Sequence, residues 1–383
     1  MRSFVLHTPS NILHATEQLS AGVLAFLALA TRELVEAGVQ QTVVYRSQGD
    51  IATVARQFDP LVRLVPVGGP TQAGRWRHLN AWRATLCSEL SSRPYDAVHL
   101  HAAKAGLLGR AILGGVAGHP PVYYSPHGLP SLQRSPSFAG AMSALKERVA
   151  AISTFRPVGC GLSEARELER LTHRTAAVLE NPVDGSFFDV PRQPDAQPRV
   201  VAVGRACGQK GADQFAELAA RFHFAGENAR FVWVGAGDEA SEEVLKAAGV
   251  ELTGWVDHAE VQSQLARAHV YVQASRWEGM ALPLLQAMAI GLPCVVTDVG
   301  GNHDAIAHGT TGLLAPDLSM LALQVKALLD EPPYARTLGE AAQCEARQRF
   351  HPSRFRRSLL SLYRLEGARV PAPRGGALDT AIP

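Results

Sequence analysis

Four polar side chains stand where the sequence places chemistry. Glu278 lies in "SRWEGMALPLLQAMA", residues 275–289, between a strand-like run and an apolar helix. Arg205 and Lys210 flank a glycine-containing turn in "VAVGRACGQKG", residues 201–211. His127 precedes a glycine in "YYSPHGLP", residues 123–130. A guanidinium offers a bidentate fork and an ammonium a point charge. A helix start beside them adds unpaired N–H groups and partial positive charge. Such a set suits a diphosphate. The plainer reading is a solvated turn with two surface cations. His127 is either a loop histidine satisfied by its neighbours or a polar contact in a cleft. Glu278 is either a favourable charge at a helix start or a ligand contact, with Gly279 allowing close backbone approach.

The remaining signals are weaker. "SAGV", residues 20–23, puts the small Gly22 at a helix entry, where a phosphate can reach the backbone. "HLHAAKAG", residues 99–106, carries Lys104 before a glycine and sets His99 and His101 on one strand face. Two histidines without an evident third ligand do not make a metal site, and none is expected. "VGAGD", residues 234–238, has a GxG but neither the full GxGxxG nor its acidic partner, so it reads as a structural turn. There is no Walker loop and no GxSxG elbow. No Asp-x-Asp pair occurs, which argues against a metal-bridged diphosphate.

These residues need elements to position them. The chain has 383 residues, 46% hydrophobic and 19% charged, enough for two or three soluble domains. The net charge of +2 gives no global case for nucleic acid. Five scattered cysteines without a CxxC pair favour a reduced, cytoplasmic setting. The N-terminus lacks a signal-peptide layout, and the ten-residue run "AGVLAFLALA" is too short to span a bilayer. Short β-rich runs alternate with helical patterns in both halves, which predicts right-handed βαβ units and two doubly wound, mostly parallel α/β domains. Strands are expected near "SFVL", "TVVY", "VRLVPV", "DAVHLH", "PVYYS" and "VGCGL", then near "RVVAVG", "RFVWVG", "VELTG", "HVYVQAS", "PCVVT" and "TGLLA". The Pro-rich "DVPRQPDAQPRV" reads as the linker. The expected division is a first domain over 1–189, a linker over 190–198, a second domain over 199–350, a terminal helical segment over 351–369 and a frayed tail over 370–383. Ligands of such sheets bind outside the carboxyl ends of the strands, so two facing domains make a cleft lined by these motifs.

In order and spacing, "SAGV", "HLHAAKAGLLGR", "YSPHG", "LSEAR", "VGRACGQKG", "LTGWVD" and "SRWEGMALPLLQAMAIGLPCVVTDVGG" resemble retaining glycosyltransferases of family 4 over nearly the whole chain. The likeness is strongest to the branch building bacterial exopolysaccharide, capsule or O-antigen. It implies the GT-B fold: two Rossmann-like domains across a cleft, with a C-terminal helix crossing back to the first. It implies a nucleoside-diphosphate sugar as co-substrate, UDP- or GDP-linked, with no cofactor and no metal. Arg205 and Lys210 would hold the donor diphosphate, Gly22 would touch it from the other domain, and His127 would contact the donor sugar. Glu278 would also contact that sugar, with the backbone of Gly279, Met280 and Ala281 nearby. Gly254 and Trp255 would lie near the base. The family's second glutamate, a ribose ligand, is here Gln286. Its amide keeps the hydrogen bonds and loses the charge. The acceptor implied is a lipid-linked sugar or oligosaccharide.

Peripheral contact with the inner face of the cytoplasmic membrane is also expected. "AGRWRHLNAWRATL" mixes Arg75, Trp76 and Arg77 with a stripe of Leu79, Trp82 and Leu86 that reads as core. The arginines and Trp76 suit anionic headgroups. "LQRSPSFAGAMSALKER", with Arg134, is a second such surface. The Arg-rich terminal helix carries Leu359, Leu360, Leu362 and Tyr363 and reads as packed against the first domain, not as a nucleic-acid binder. Two rivals remain: a nucleotide-sugar epimerase of the same fold, which needs acid/base carboxylates in the cleft, and a donor-binding scaffold without activity.

Overall fold

The computed structural model describes residues 10–17, 19, 21–46, 51–67, 75–133 and 138–364. The first half runs β1 (Asn11–Thr16), α1 (Ala21–Glu36), β2 (Gln40–Tyr45), α2 (Ile51–Ala55), β3 (Arg63–Pro66), α3 (Arg75–Ser92) and β4 (Ala97–His101). It continues with α4 (Ala103–Leu113), β5 (Val122–Ser125), α5 (Phe138–Ala150), β6 (Arg156–Gly159), α6 (Leu162–Thr172) and β7 (Ala177–Val178). The seven strands form one parallel sheet in the order β3-β2-β1-β4-β5-β6-β7.

The second half runs β8 (Arg199–Val203), α7 (Ala212–Phe224), β9 (Arg230–Val234), α8 (Glu239–Ala247), β10 (Glu251–Leu252), α9 (His258–Ala266) and β11 (Val270–Gln273). Then come α10 (Leu282–Ile290), β12 (Cys294–Thr297), α11 (Gly300–Ala305), β13 (Leu313–Ala315), α12 (Leu318–Asp330), α13 (Pro332–Arg349) and α14 (Pro352–Leu362). Its six strands, also parallel, lie in the order β10-β9-β8-β11-β12-β13.

Helices cover both faces of each sheet, so the strands are apolar without alternation. In β8, Val200, Val201 and Ala202 are all buried. The first expected strand, "SFVL", lies outside the described residues. The strand that opens the sheet is "NILHAT", which the sequence reading missed. Its His14 and Thr16 break the apolar run, yet both are buried. The run "VGCGL" contributes only its start to β6; Cys160 and Gly161 form the turn into α6.

Strand order reverses between β1 and β4 in one sheet and between β8 and β11 in the other. These are the switch points outside which α/β sheets open a crevice. Helix α14 packs on α1: Arg356 bonds Glu33 at 2.8 and 3.0 Å, and Phe355 meets Phe26 edge-on at 5.7 Å. Val190–Pro198 carries no helix or strand. Trp82 and Leu86 are fully buried on α3, as core. The segment 370–383 lies outside the described residues.

Candidate active site

Lys210 and Glu278 come together although 68 residues separate them. Lys210 ends the turn after β8, Glu278 sits in the turn after β11, and β8 and β11 are neighbours at the switch point. Lys210 Nζ donates to Glu278 Oε1 at 2.6 Å, and Ser275 Oγ donates to the same oxygen at 2.6 Å. The Glu278 side chain is 6% exposed and that of Lys210 is 20% exposed. Gly211, at φ 70°, makes this turn possible; a Cβ there would lie 1.9 Å from the Ala274 carbonyl oxygen. Arg205 stands exposed at the same strand end. No hydrogen bond or ion pair engages its guanidinium among the described residues; Asp238 feels its charge only weakly.

Residues 278–281 are not helical, because α10 begins only at Leu282 with Ala281 as its N-cap. The Glu278-to-Gln286 spacing is therefore not two helical turns. Gln286 is the fifth residue of α10 and lines a cavity of about 380 Å³ between the domains, with Ala28 and Arg32 of α1, Asp184, His258 and Leu282. Asp184 is held below the usual carboxylate range by hydrogen bonds from Ser186 and Arg32, which overcome its burial. Met280 is buried; its carbonyl accepts from Asn181 Nδ2 at 2.7 Å. The Gly254 turn, φ 70°, is bridged to Gly235 after β9, and Trp255 beside it is 65% exposed.

The opposite wall comes from the first domain. His127 lies in the loop after β5 and adopts a left-handed backbone, φ 57°. Its Nε2 meets His101 Nδ1 at 3.0 Å, and its ring packs 4.7 Å from Phe26. Burial drives its pKa down to about 4, so the ring is neutral at physiological pH. The loop is tied from below by Glu164. That fully buried carboxylate accepts from Gly128 N at 2.6 Å and Cys160 N at 2.9 Å. Burial still raises its pKa, because these bonds only partly offset desolvation.

Glu164 was missed as a site residue. It stood inside "LSEAR", but nothing in its spacing showed a carboxylate held under the His127 turn. Ser163 and Asp304 were missed as well. Asp304 of α11 accepts from Ser163 N at 2.7 Å and Ser163 Oγ at 2.8 Å, capping α6 from the other domain. Gly128 and Gly279 meet across the same boundary. A Cβ on Gly279 would lie 2.6 Å from Cys160 Sγ and 2.9 Å from Gly128 N, so only glycine fits there.

Gly22 is exposed in the first turn of α1. Lys104 is the second residue of α4; its side chain is largely exposed and its Nζ lies 3.7 Å from Glu17 Oε2. Arg75, Trp76 and Arg77 open α3, but their side chains lie outside what is described, and so does Arg134. Among the described residues no helix is long and apolar enough to cross a membrane. The sequence offered His99 and His101 without a third partner. The parallel register sets His14 of β1 opposite His99, and ligand atoms of the three lie within 4.8 Å of one another.

Residues 21–186 match the Glycosyltransferase Family 4 profile, and residues 197–331 match that of Glycosyl transferases group 1. The chain is a family 4-like glycosyltransferase of the GT-B fold. It is 31% identical over 156 residues to an alpha-D-kanosaminyltransferase of Streptomyces kanamyceticus, covering 39% of this chain and 40% of that one. It is 28% identical over 255 residues to the UDP-Gal:alpha-D-GlcNAc-diphosphoundecaprenol alpha-1,3-galactosyltransferase of Escherichia coli, covering 60% and 65%. The chain thus spans from under half to just under two thirds of these curated relatives. Among solved structures, sucrose-phosphate synthase of Thermosynechococcus elongatus superposes with TM-score 0.80 at 18% identity, over 93% of this chain and 99% of that one. Anabaena HepE in complex with UDP and glucose superposes with TM-score 0.74 at 16% identity, over 93% and 100%. These two likenesses concern the fold.

Proposed function

We propose that this protein is a retaining, metal-independent glycosyltransferase. It moves a sugar from a UDP- or GDP-linked donor to a lipid-linked or oligosaccharide acceptor in surface polysaccharide synthesis. The observation that carries the reading is the Lys210–Glu278 contact at 2.6 Å, at the ends of adjacent strands beside the exposed Arg205. Two cations at one switch point can hold a diphosphate and stabilise its charge as it leaves. Glu278, anchored by Lys210 and Ser275, is placed to accept from donor-sugar hydroxyls. His127 faces from the other domain as a neutral imidazole.

Departure of the diphosphate leaves an oxocarbenium-like sugar. In this reading the acceptor hydroxyl attacks the face the diphosphate leaves, and a leaving phosphate oxygen takes its proton. Retention then needs no enzyme nucleophile. Domain contacts through Gly279, Ser163 and Asp304 exclude water from the reacting centre. The buried carboxylate under the His127 loop, Glu164, is occupied by backbone N–H groups and is no free acid for an epimerase.

The test is incubation with a panel of UDP- and GDP-sugars and lipid-linked acceptors. Transfer or slow donor hydrolysis supports the reading. Isomerised donor would replace it with the epimerase, and the absence of any turnover alongside tight nucleotide binding would replace it with a scaffold.

A further inference from the structure

Behind His127 runs a file of buried imidazoles that the proposed transfer does not use. His127 Nε2 meets His101 Nδ1 at 3.0 Å, and His101 Nε2 meets His14 Nδ1 at 3.1 Å. His14 and His101 are at most 1% exposed, and burial pushes both pKa values down, that of His14 to about 4. The three rings are therefore neutral at physiological pH. Each bond between neutral imidazoles needs one N–H and one lone pair, so fixing one end of the file fixes every ring.

The inner end faces Gln41. Its Nε2 lies 2.8 Å from the Thr31 carbonyl oxygen. A carbonyl only accepts, so the amide presents nitrogen to Thr31 and leaves its oxygen without a partner among the described residues. Gln41 Oε1 and His14 Nε2 are both buried and stand outside the limits of a regular hydrogen bond, yet the Gln41 side chain still favours a proton on His14. With the buried Gln41 oxygen as its acceptor, His14 carries its proton on Nε2 and accepts at Nδ1. His101 donates from Nε2 and accepts at Nδ1. His127 donates from Nε2, and its Nδ1 is left with a lone pair. Packing holds the geometry. His101 stacks on His99 at 4.1 Å, and His99 is pinned by Tyr363 at 2.6 Å and Ser125 at 2.9 Å.

We propose that Gln41, His14 and His101 are positioning residues that lock His127 as its Nε2–H tautomer, so that Nδ1 meets the donor as a hydrogen-bond acceptor for a sugar hydroxyl. The role of Nδ1 rests on the proposed function; the tautomer does not. A metal held by His14, His99 and His101 is the competing use of these rings, and it would take the lone pairs on which the file depends.

The experiment is long-range 1H–15N correlation on the full chain labelled with 15N-histidine, with His127 assigned by its loss in His127→Asn. The expected wild-type signal is a protonated Nε2 and a bare Nδ1. His101→Phe and, at the far end, Gln41→Leu should give a mixture of tautomers at His127 while circular dichroism stays native. His101→Gln, whose amide can accept and donate in the same two directions, should keep the wild-type tautomer. With an active donor, His101→Phe and Gln41→Leu should lower kcat/KM about ten-fold, the scale of one lost hydrogen bond. A donor lacking the recognised hydroxyl should erase the difference between variants and wild type. Protonated Nδ1 in the wild type, an unchanged tautomer in both Gln41→Leu and His101→Phe, or stoichiometric metal in the purified chain overturns the proposal. The expected tautomers without turnover of any donor leave the file standing and remove only the transferase reading.

Discussion

The Lys210–Glu278 pair separates a structural ion pair from a ligand-binding one. Lys210→Met leaves the nearly buried Glu278 carboxylate with the Ser275 hydroxyl as its one remaining partner among the described residues. Breaking a buried pair costs about 3–5 kcal/mol, and breaking an exposed one about 0–1 kcal/mol. With Lys210 one-fifth exposed, we take a value near the middle, about 2 kcal/mol. For a domain of this size that lowers Tm by roughly 4–8 °C. Glu278→Gln should cost about 1 kcal/mol, because its amide oxygen still accepts from both donors. The double variant should fall short of the sum by about 1 kcal/mol or more, since no charge is then stranded.

Nucleotide binding should respond differently. Losing a charge-assisted bond to a diphosphate costs about 1.5–3 kcal/mol, so UDP or GDP should bind Lys210→Met roughly 10- to 150-fold more weakly by calorimetric titration. The double variant should not recover that affinity, although it recovers part of the stability. Arg205→Ala is the complementary case. Its guanidinium has no partner among the described residues, so stability should hold within about 0.5 kcal/mol of wild type while nucleotide affinity drops by a comparable factor. Binding of the nucleotide to Lys210→Met within two-fold of wild type would refute the diphosphate role and leave the pair as structure alone.

Three further outcomes are expected. The unfolded chain takes up protons near pH 6.5 that His14 in the fold refuses until about pH 4, so stability is full above pH 6.5 and declines as pH falls through that window. The loss for His14 alone is about 3 kcal/mol, and urea unfolding of His14→Gln should show a shallower pH slope than wild type. Gln286→Glu should keep or tighten donor binding if Gln286 faces the ribose; a large loss of affinity by calorimetry would sink that role. Phe138, Val149 and Ile152 of α5 and the turn after it are 82%, 57% and 87% exposed, beside Lys146 and Arg148. Flotation with anionic vesicles at low salt should be strong for the wild type and weak for Phe138→Glu/Ile152→Glu; an unbound wild type would remove the membrane contact.

Sequence patterns made the parallel sheets legible because strands buried on both faces read as unbroken apolar runs, as in "RVVAV" and "CVVT". β1 escaped because His14 and Thr16 look like surface residues in one dimension. Only the sheet shows that His14 lies between β2 and β4, where its neighbours across the register are Val43 and His99. Lys210 and Glu278 were legible singly, as strand-end polar residues, but their pairing depends on β8 and β11 being adjacent, which is topology. Glu164 and Asp304 were illegible as well. Glu164 acts on backbone N–H groups, and a bond to backbone leaves no partner residue type in the sequence to look for; Asp304 meets the Ser163 amide and hydroxyl 141 residues away, a pairing set by topology.

That distinction bears on how the cleft is held. Asp304 caps α6, whose first turn carries Glu164, and Glu164 in turn holds the amide of Gly128 next to His127. A carboxylate of the second domain is thus two bonded steps from the imidazole of the first, through one helix start. Gly128 and Gly279 touch beside it, with no room for a side chain at Gly279. The wall that presents His127 and the turn that presents Glu278 are therefore set against each other by short polar contacts at strand and helix ends, beside an apolar cluster that joins Cys160 to Met280 and Ala281. Such contacts rearrange at small cost when domains move. The residues proposed to meet the sugar from opposite sides are seated on the same boundary that must open for a donor to enter.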